Sequence, residues 1–203
     1  MSGIPRNAMA SQGFTTRLLY SMASLQEVTL DYSANTAEVP TGGVRINIIP
    51  REGGNTFNGT FFASLANHSM QANNFNDELR SKGLRTPDSI KKLFDVNPGF
   101  GGPLRKDKVW FYATYRYWGV NKTVADSFFD LDPSPFKYTP DFSRPGIDDG
   151  HIRSIAGRVT AQLSSKDKIS YYHDEQDKVR LHWGIAGNVP PEDTAIQATP
   201  TSF

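Results

Sequence analysis

From residue 55 onward, apolar and polar positions alternate with a period of two, and the alternation divides the chain into strands. In "NTFNGTFFASLAN", Phe57, Gly59, Phe61, Ala63 and Leu65 share one parity, with Asn58, Thr60 and Ser64 on the other. In "VWFYATYRYWG", Val109, Phe111, Ala113, Tyr115 and Tyr117 oppose Trp110, Tyr112, Thr114, Arg116 and Trp118. "SIAGRVTAQLS" sets Ile155, Gly157, Val159, Ala161 and Leu163 against Ser154, Arg158, Thr160 and Gln162, and "ISYYHDE" sets Ile169 and Tyr171 against Ser170 and Asp174. Successive side chains of an extended chain point to opposite faces. Each segment therefore predicts a strand with one apolar, small-or-aromatic face and one wettable face.

The connections are unequal. Residues 105–108 and 164–168 are tight polar turns, each built on Lys-Asp-Lys, whereas residues 68–91 and 120–152 are rich in Asn, Asp, Pro and Ser, lack a period and are expected to be long loops. Alternating short and long connections give an up-and-down antiparallel meander, the pattern of a transmembrane β-barrel, whose strands need about 9–11 residues each. Residues 109–119 are long enough, and Trp and Tyr near the strand ends are expected at headgroup level. A soluble sandwich or barrel shows the same alternation, so that reading stays open. The length of the two loops favours the membrane barrel, because structureless loops of that size are uncommon in compact soluble domains.

Before residue 55 the character differs. "QEVTLDY" (26–32) and "VRINIIP" (44–50) predict two short strands, followed by a "REGGN" turn. Residues 1–24 are irregular apart from a short helix expected around "TTRLLYSMASL". The expected division is therefore residues 1–53, the C-terminal part of a mixed α/β domain, and residues 54–203, about five strands of an incomplete barrel.

Composition narrows the function. The 203 residues carry 22 basic and 21 acidic side chains, a net charge of +1 with no basic cluster, which excludes a nucleic-acid reader. There is no cysteine, so a disulfide framework and a thiolate metal site are excluded as well. No run approaches the roughly 20 apolar residues of a spanning helix. The opening twenty residues lack the pattern of a secretory signal.

Candidate chemistry is sparse. Asp148, Asp149 and His151 could meet at a cation, but no further cluster at ligand spacing supports them, and a solvated loop is the plainer expectation. His173, Asp174 and Glu175 are expected at the top of the last strand, as a polar rim or a ligand contact. His182 and Trp183 are expected as a stacking platform or a packing anchor. Gly99, Gly101 and Gly102 are followed by no Lys-Ser/Thr and no helix; they predict a bend or a close approach rather than a phosphate cradle. No catalytic residue, cofactor or metal site is expected, and the chain is not expected to be an enzyme.

"TGGVRINIIPREGGNTFNGTFFASLAN" resembles the junction between plug and barrel in TonB-dependent outer-membrane receptors. The residues that carry it are Gly42, Gly43, Val44, Ile46, Asn47, Ile48 and Ile49, then Gly54, Asn55, Phe57 and Gly59. "NPGFGGPLRKDKVWFYATYRYW" is similar to the second and third barrel strands of those receptors, and "QEVTLDYSANTAEVP" to the preceding plug strand and its loop. The resemblance spans residues 25–180 and is strongest to the group with a carboxypeptidase-regulatory-like domain ahead of the plug. It implies a receptor in the bacterial outer membrane that binds a scarce nutrient (an oligosaccharide, a peptide or a metal chelate) and imports it when the inner-membrane TonB machinery pulls on the plug. It also implies a 22-stranded barrel, so the chain is expected to be an internal piece, without the first half of the plug, the TonB-contacting box or an export signal. Its partners would be outer-membrane lipid, the nutrient and, through the missing part, TonB, with no nucleic acid among them.

Arg51 and Glu52, at the plug exit, are the site residues expected to meet barrel-wall charges and hold the plug until it is pulled; the plain alternative is an exposed turn. A non-transporting surface β-protein, an adhesin or a carbohydrate-binding module, is the competing function.

Overall fold

A computed structural model describes residues 4–6, 21–31, 45–132 and 137–202. Two antiparallel sheets form. The first has three strands, with β3 (Arg45–Pro50) between β1 (Ile4–Arg6) and β2 (Leu25–Asp31). The second has six: β4 (Asn58–Ala66), β5 (Ser89–Arg105), β6 (Val109–Asp130), β7 (Pro140–Gln162), β8 (Lys168–Trp183) and β9 (Ala195–Ser202), each hydrogen-bonded to the next in chain order. The fold is thus mostly β, an open meander. It has one strand more than expected, β9, in which Ile196, Ala198 and Pro200 alternate with Gln197, Thr199 and Thr201 over a short stretch that includes a proline. The strand Ile4–Arg6 was likewise not expected. Of the helix expected around residues 15–25, only a 3-10 turn at Met22–Ser24 lies in the described part; Gly42, Gly43 and Val44 lie outside it.

The large sheet is inside-out by the standard of a soluble domain. Phe61 is 73% exposed, Leu65 63% and Tyr171 68%, whereas Thr114, Ser154, Thr160, Asp174 and Gln176 are each 5% or less exposed. Register explains how one face becomes polar: Thr60, Gly99, Thr114, Ala156 and Asp174 pair in a single row across five strands, so their side chains share the inward face. The outward face carries Phe61, Leu65, Val96, Phe100, Tyr115, Ile155, Val159, Leu163 and Ile169, all exposed. This is the parity that the sequence predicts, with Arg158, Thr160 and Gln162 inward. On β8 the outward apolar run is short: above Tyr171 it passes to His173, Glu175 and Asp177, the last paired with Arg153 of β7. The Trp residues do not all join an outer belt. Tyr115 and Tyr117 face outward, but Trp110 and Trp118 have inward parity.

The expected loop at residues 68–91 is a loop up to residue 88, apart from a 3-10 turn and one short helix, whereas the one expected at 120–152 is largely not a loop. β6 and β7 are 22 and 23 residues long and stay paired from Val109↔Ala161 to Asp130↔Pro140, with irregularities between Thr123 and Phe129. A crossing takes about 9–11 residues, so roughly half of this hairpin projects beyond any bilayer. There both faces meet water. Strand formation no longer demands alternation, and the sequence therefore reads as loop. The distal end has its own small core: Phe128 is 3% exposed and meets Phe142 edge-on at 5.1 Å. Between β4 and β5 a one-turn helix, α1 (Asp77–Ser81), is capped by Asn76, whose side chain accepts from Leu79 N at 3.0 Å.

The two Lys-Asp-Lys turns differ in mechanism. Asp107 adopts a left-handed conformation (φ 61°) and closes a turn in which Lys108 N donates to Arg105 O. In the second turn Ser164 Oγ donates to Asp167 Oδ2 at 2.5 Å, and Leu163 N donates to Asp167 O. The glycines of "GFGG" make room for rings rather than bending the strand. A side chain on Gly102 would overlap the Phe57 ring, and one on Gly101 would overlap Tyr112.

Candidate functional site

Residues that precede β4 lie against the inward face of the large sheet, and this contact is the candidate site. Ser21 Oγ donates to Asn97 Oδ1 of β5 at 3.0 Å, with both residues buried. The chain then returns through β3. Arg158 of β7 reaches up from the inner wall, its Nη1 donating to Pro50 O at 2.8 Å and its Nη2 to Ser170 Oγ at 3.3 Å. Two residues on, Glu52 sets Oε1 2.5 Å from Lys168 Nζ at the start of β8 and Oε2 3.8 Å from Arg158 Nη2. The Glu52 and Arg158 side chains are 24% and 16% exposed, so this carboxylate is partly shielded between two wall cations.

Arg51 behaves differently from its neighbour. Its Nε donates to Leu25 O at 3.0 Å, its backbone N–H to Ser24 O at 2.7 Å, and its guanidinium lies 5.9 Å from the Tyr112 ring centroid. It ties β3 back to the start of β2 and makes no ion pair among the described residues. Of the two residues expected to meet wall charges, Glu52 does so and Arg51 meets an aromatic wall residue.

Asn55 fixes the point where the chain leaves the inner face. Its Nδ2 donates to Asp107 Oδ1 at 2.6 Å, and its Oδ1 accepts both the Asp107 backbone N–H at 2.9 Å and Trp110 Nε1 at 2.7 Å. Lys168 completes the cluster, its ammonium 5.7 Å from the Trp110 ring centroid. Trp110, Arg158 and Lys168 have no recognisable signal of this role in the sequence, and Asn55 has one only through the resemblance of its segment to a plug–barrel junction, because the contacts join positions about 50 to 120 apart. Asn55→Ala removes three hydrogen bonds from an exposed clamp, each worth about 1 kcal/mol. The expected outcome is a folded barrel in which the Asp107 amide exchanges with solvent at least about tenfold faster by hydrogen–deuterium exchange.

The remaining candidates are dispersed. Asp148 and Asp149 lie in β7, not in a loop. Asp148 Oδ1 sits 3.1 Å from Arg180 Nη2, and Asp149 Oδ1 2.6 Å from His182 Nδ1, while His151 packs edge-on against Tyr117. Among the described residues no cluster is placed to hold a metal ion. His173, Asp174 and Glu175 are mid-strand, not at the top of the last strand. Only Asp174 points inward, accepting from Ser154 Oγ and Tyr172 OH, each at 3.3 Å. His182 packs near Phe129; the exposed Trp183 pairs with Ala195 of β9.

The inside-out sheet, its alternating turns and its polar inner wall define an outer-membrane barrel. The sequence matches the outer membrane beta barrel domain over residues 49–193, and the chain belongs to that family and to the bacterial outer membrane. It is also similar to the TonB-dependent transporter Oar of Myxococcus xanthus, 34% identical over 77 residues, a match that covers 37% of this chain and 7% of that protein. No solved structure matches.

Barrels of this kind keep short turns in the periplasm and long connections outside. A cysteine at exposed Asp132, in the full-length protein on whole cells, is expected to react with an impermeant thiol reagent, and cysteines at Asp107 or Asp167 are not. Labelling in the reverse pattern would invert the topology. Asp148, with its side chain only 18% exposed and tied to Arg180, is a poor reporter despite lying at the same end.

Proposed function

We propose that this chain is the end of the plug and the first strands of the barrel of a TonB-dependent receptor, which binds a scarce nutrient at the cell surface and imports it on energy transduction from the inner membrane. The observation that carries the reading is the seating of residues 50–55 on the inward face. A segment that leaves a small separate sheet, crosses the polar wall at Arg158 and Lys168, and turns into β4 at Asn55 is what a plug tethered to its own barrel requires. The similarity to the Myxococcus transporter supports it. Glu52 is the releasable contact in this scheme: a carboxylate between two cations holds the segment at rest, yet partial exposure leaves it breakable under load. Arg51 links the same segment to the small sheet, so that a pull on the sheet reaches Glu52.

The test compares depletion of nutrients from spent medium by cells with and without the full-length gene. The expected result is a specific compound that is depleted only when the protein is present, and whose depletion stops on collapse of the inner-membrane proton gradient while surface binding persists. Identical depletion by both strains, or depletion indifferent to the gradient, would contradict import.

A further inference from the structure

The register leaves a gap in the inward face near the outer end of the wall. One row consists of Trp118, Ile152 and Lys178, and the next of Val120, Gly150 and Arg180. Gly150 presents only backbone there. A cavity of about 170 Å³ lies in this face, lined among others by Trp118, Val120, Asp148, Ile152, Lys178 and Arg180. A Cβ on Gly150 would come 2.8 Å from Val179 O and 3.2 Å from Arg180 Cγ, so the neighbouring strand packs close against this glycine. Pockets for whole drug-sized ligands run to about 300–1,000 Å³; this one fits a single ring-sized group.

Its walls are set before any ligand arrives. Arg116 lies 5.0 Å from the Trp118 ring centroid and is itself held by both carboxylate oxygens of Asp95, at 3.1 and 2.7 Å. The indole is thereby fixed as a plate. Most of the charge is internally balanced: Asp148 lies 3.1 Å from Arg180 and 3.9 Å from Lys122, which also approaches Asp88 at 3.8 Å. Lys178 is the exception, since its ammonium makes no ion pair among the described residues. A fixed aromatic plate beside an unneutralised cation selects a flat anionic group.

We propose that this cavity is a ligand subsite for a carboxylate carried on a flat-faced ring, with the ring on Trp118 and the carboxylate on Lys178. The inference rests on the receptor reading for its place on the import path. An acidic sugar and an aromatic acid both supply this chemistry.

The experiment uses the full-length protein in detergent and saturation-transfer NMR, which reads weak binding, with two probe pairs: cellobiuronic acid against cellobiose, and benzoate against benzyl alcohol. At least one acid is expected to bind about tenfold more tightly than its neutral partner. Lys178→Gln should abolish that preference, Lys178→Arg should keep it, and Trp118→Ala should weaken the acid while the barrel stays folded on a heat-modifiability gel. A response to cellobiuronic acid alone identifies a sugar source, and a response to benzoate alone an aromatic one. Equal binding of acid and neutral partner, binding of neither acid, or a preference that survives Lys178→Gln would overturn the subsite. Those failures leave import standing if depletion by cells still needs the proton gradient; acid-selective binding by a protein whose depletion ignores the gradient would remove import and keep the subsite.

Discussion

Ala63→Arg in the full-length protein is expected to abolish the folded, heat-modifiable barrel, while Ser64→Arg one residue away leaves it in place. Ala63 has outward parity on β4, paired with Val96 between the exposed Phe61 and Leu65, and Ser64 pairs with Asp95 on the inward face. An arginine in the lipid band near the midplane costs roughly 2–4 kcal/mol, and one in the water-facing interior costs little. Asp95 moreover gives the Ser64 site an acidic neighbour. Adjacent positions on β6 make a poorer comparison: Ala113 faces outward, but Thr114 is only 5% exposed and shares a tight contact region with Arg51 and Tyr112, so a long cation there would fail through overpacking alone. Equal tolerance at Ala63 and Ser64, read as heat-modifiable barrel on gels, would mean that the outward face of β4 does not meet lipid.

The second large effect is expected at Gly53. A Cβ at this position would overlap the Phe111 carbonyl oxygen and lie 2.8 Å from its carbon, and these are backbone atoms of a central strand that cannot swing aside. Gly54 has nothing within 4 Å of the same added atom. Gly53→Ala should therefore lift the exit segment off the wall and break the Glu52–Lys168 contact, whereas Gly54→Ala should be nearly neutral. Overpacking against fixed atoms costs about 1–3 kcal/mol. Limited proteolysis of the full-length protein in outer membranes is the measurement: cleavage near residue 51 should appear with Gly53→Ala and stay absent with Gly54→Ala. Matching digestion patterns would show that this close approach does not hold the segment.

The strands whose two faces meet different solvents were legible in the sequence. Val109 to Tyr117 and Ile155 to Leu163 each carry five outward positions, because lipid on one side and polar wall on the other force a period of two. The same reasoning accounts for what was illegible. Residues 120–130 and 140–152 pair as a hairpin in water on both sides, so no period marks them, and β9 sets Ile196, Ala198 and Pro200 against Gln197, Thr199 and Thr201 over only eight residues with a proline among them. The candidate site was half legible. Glu52 was visible as a charge at the exit of the "RINIIP" strand. Its partners, and the Asn55 clamp, depend on a register linking distant strands that hydrophobic pattern does not encode. The Lys178 cavity was invisible for a further reason: much of its lining, from Val120 to Gly150, falls in a stretch that reads as loop.

Residues 50–55 run along the inner wall of the barrel sheet. Cysteine pairs in the full-length protein, cross-linked in intact outer membranes with a short bifunctional thiol reagent, read this placement. Glu52→Cys with Lys168→Cys joins two inward side chains that touch at 2.5 Å, and Glu52→Cys with Ile169→Cys joins an inward residue to its outward neighbour across the wall. Efficient cross-linking is expected for the first pair and none for the second; cross-linking of Ile169→Cys in preference to Lys168→Cys, or of neither, would place residues 50–55 away from the inner wall.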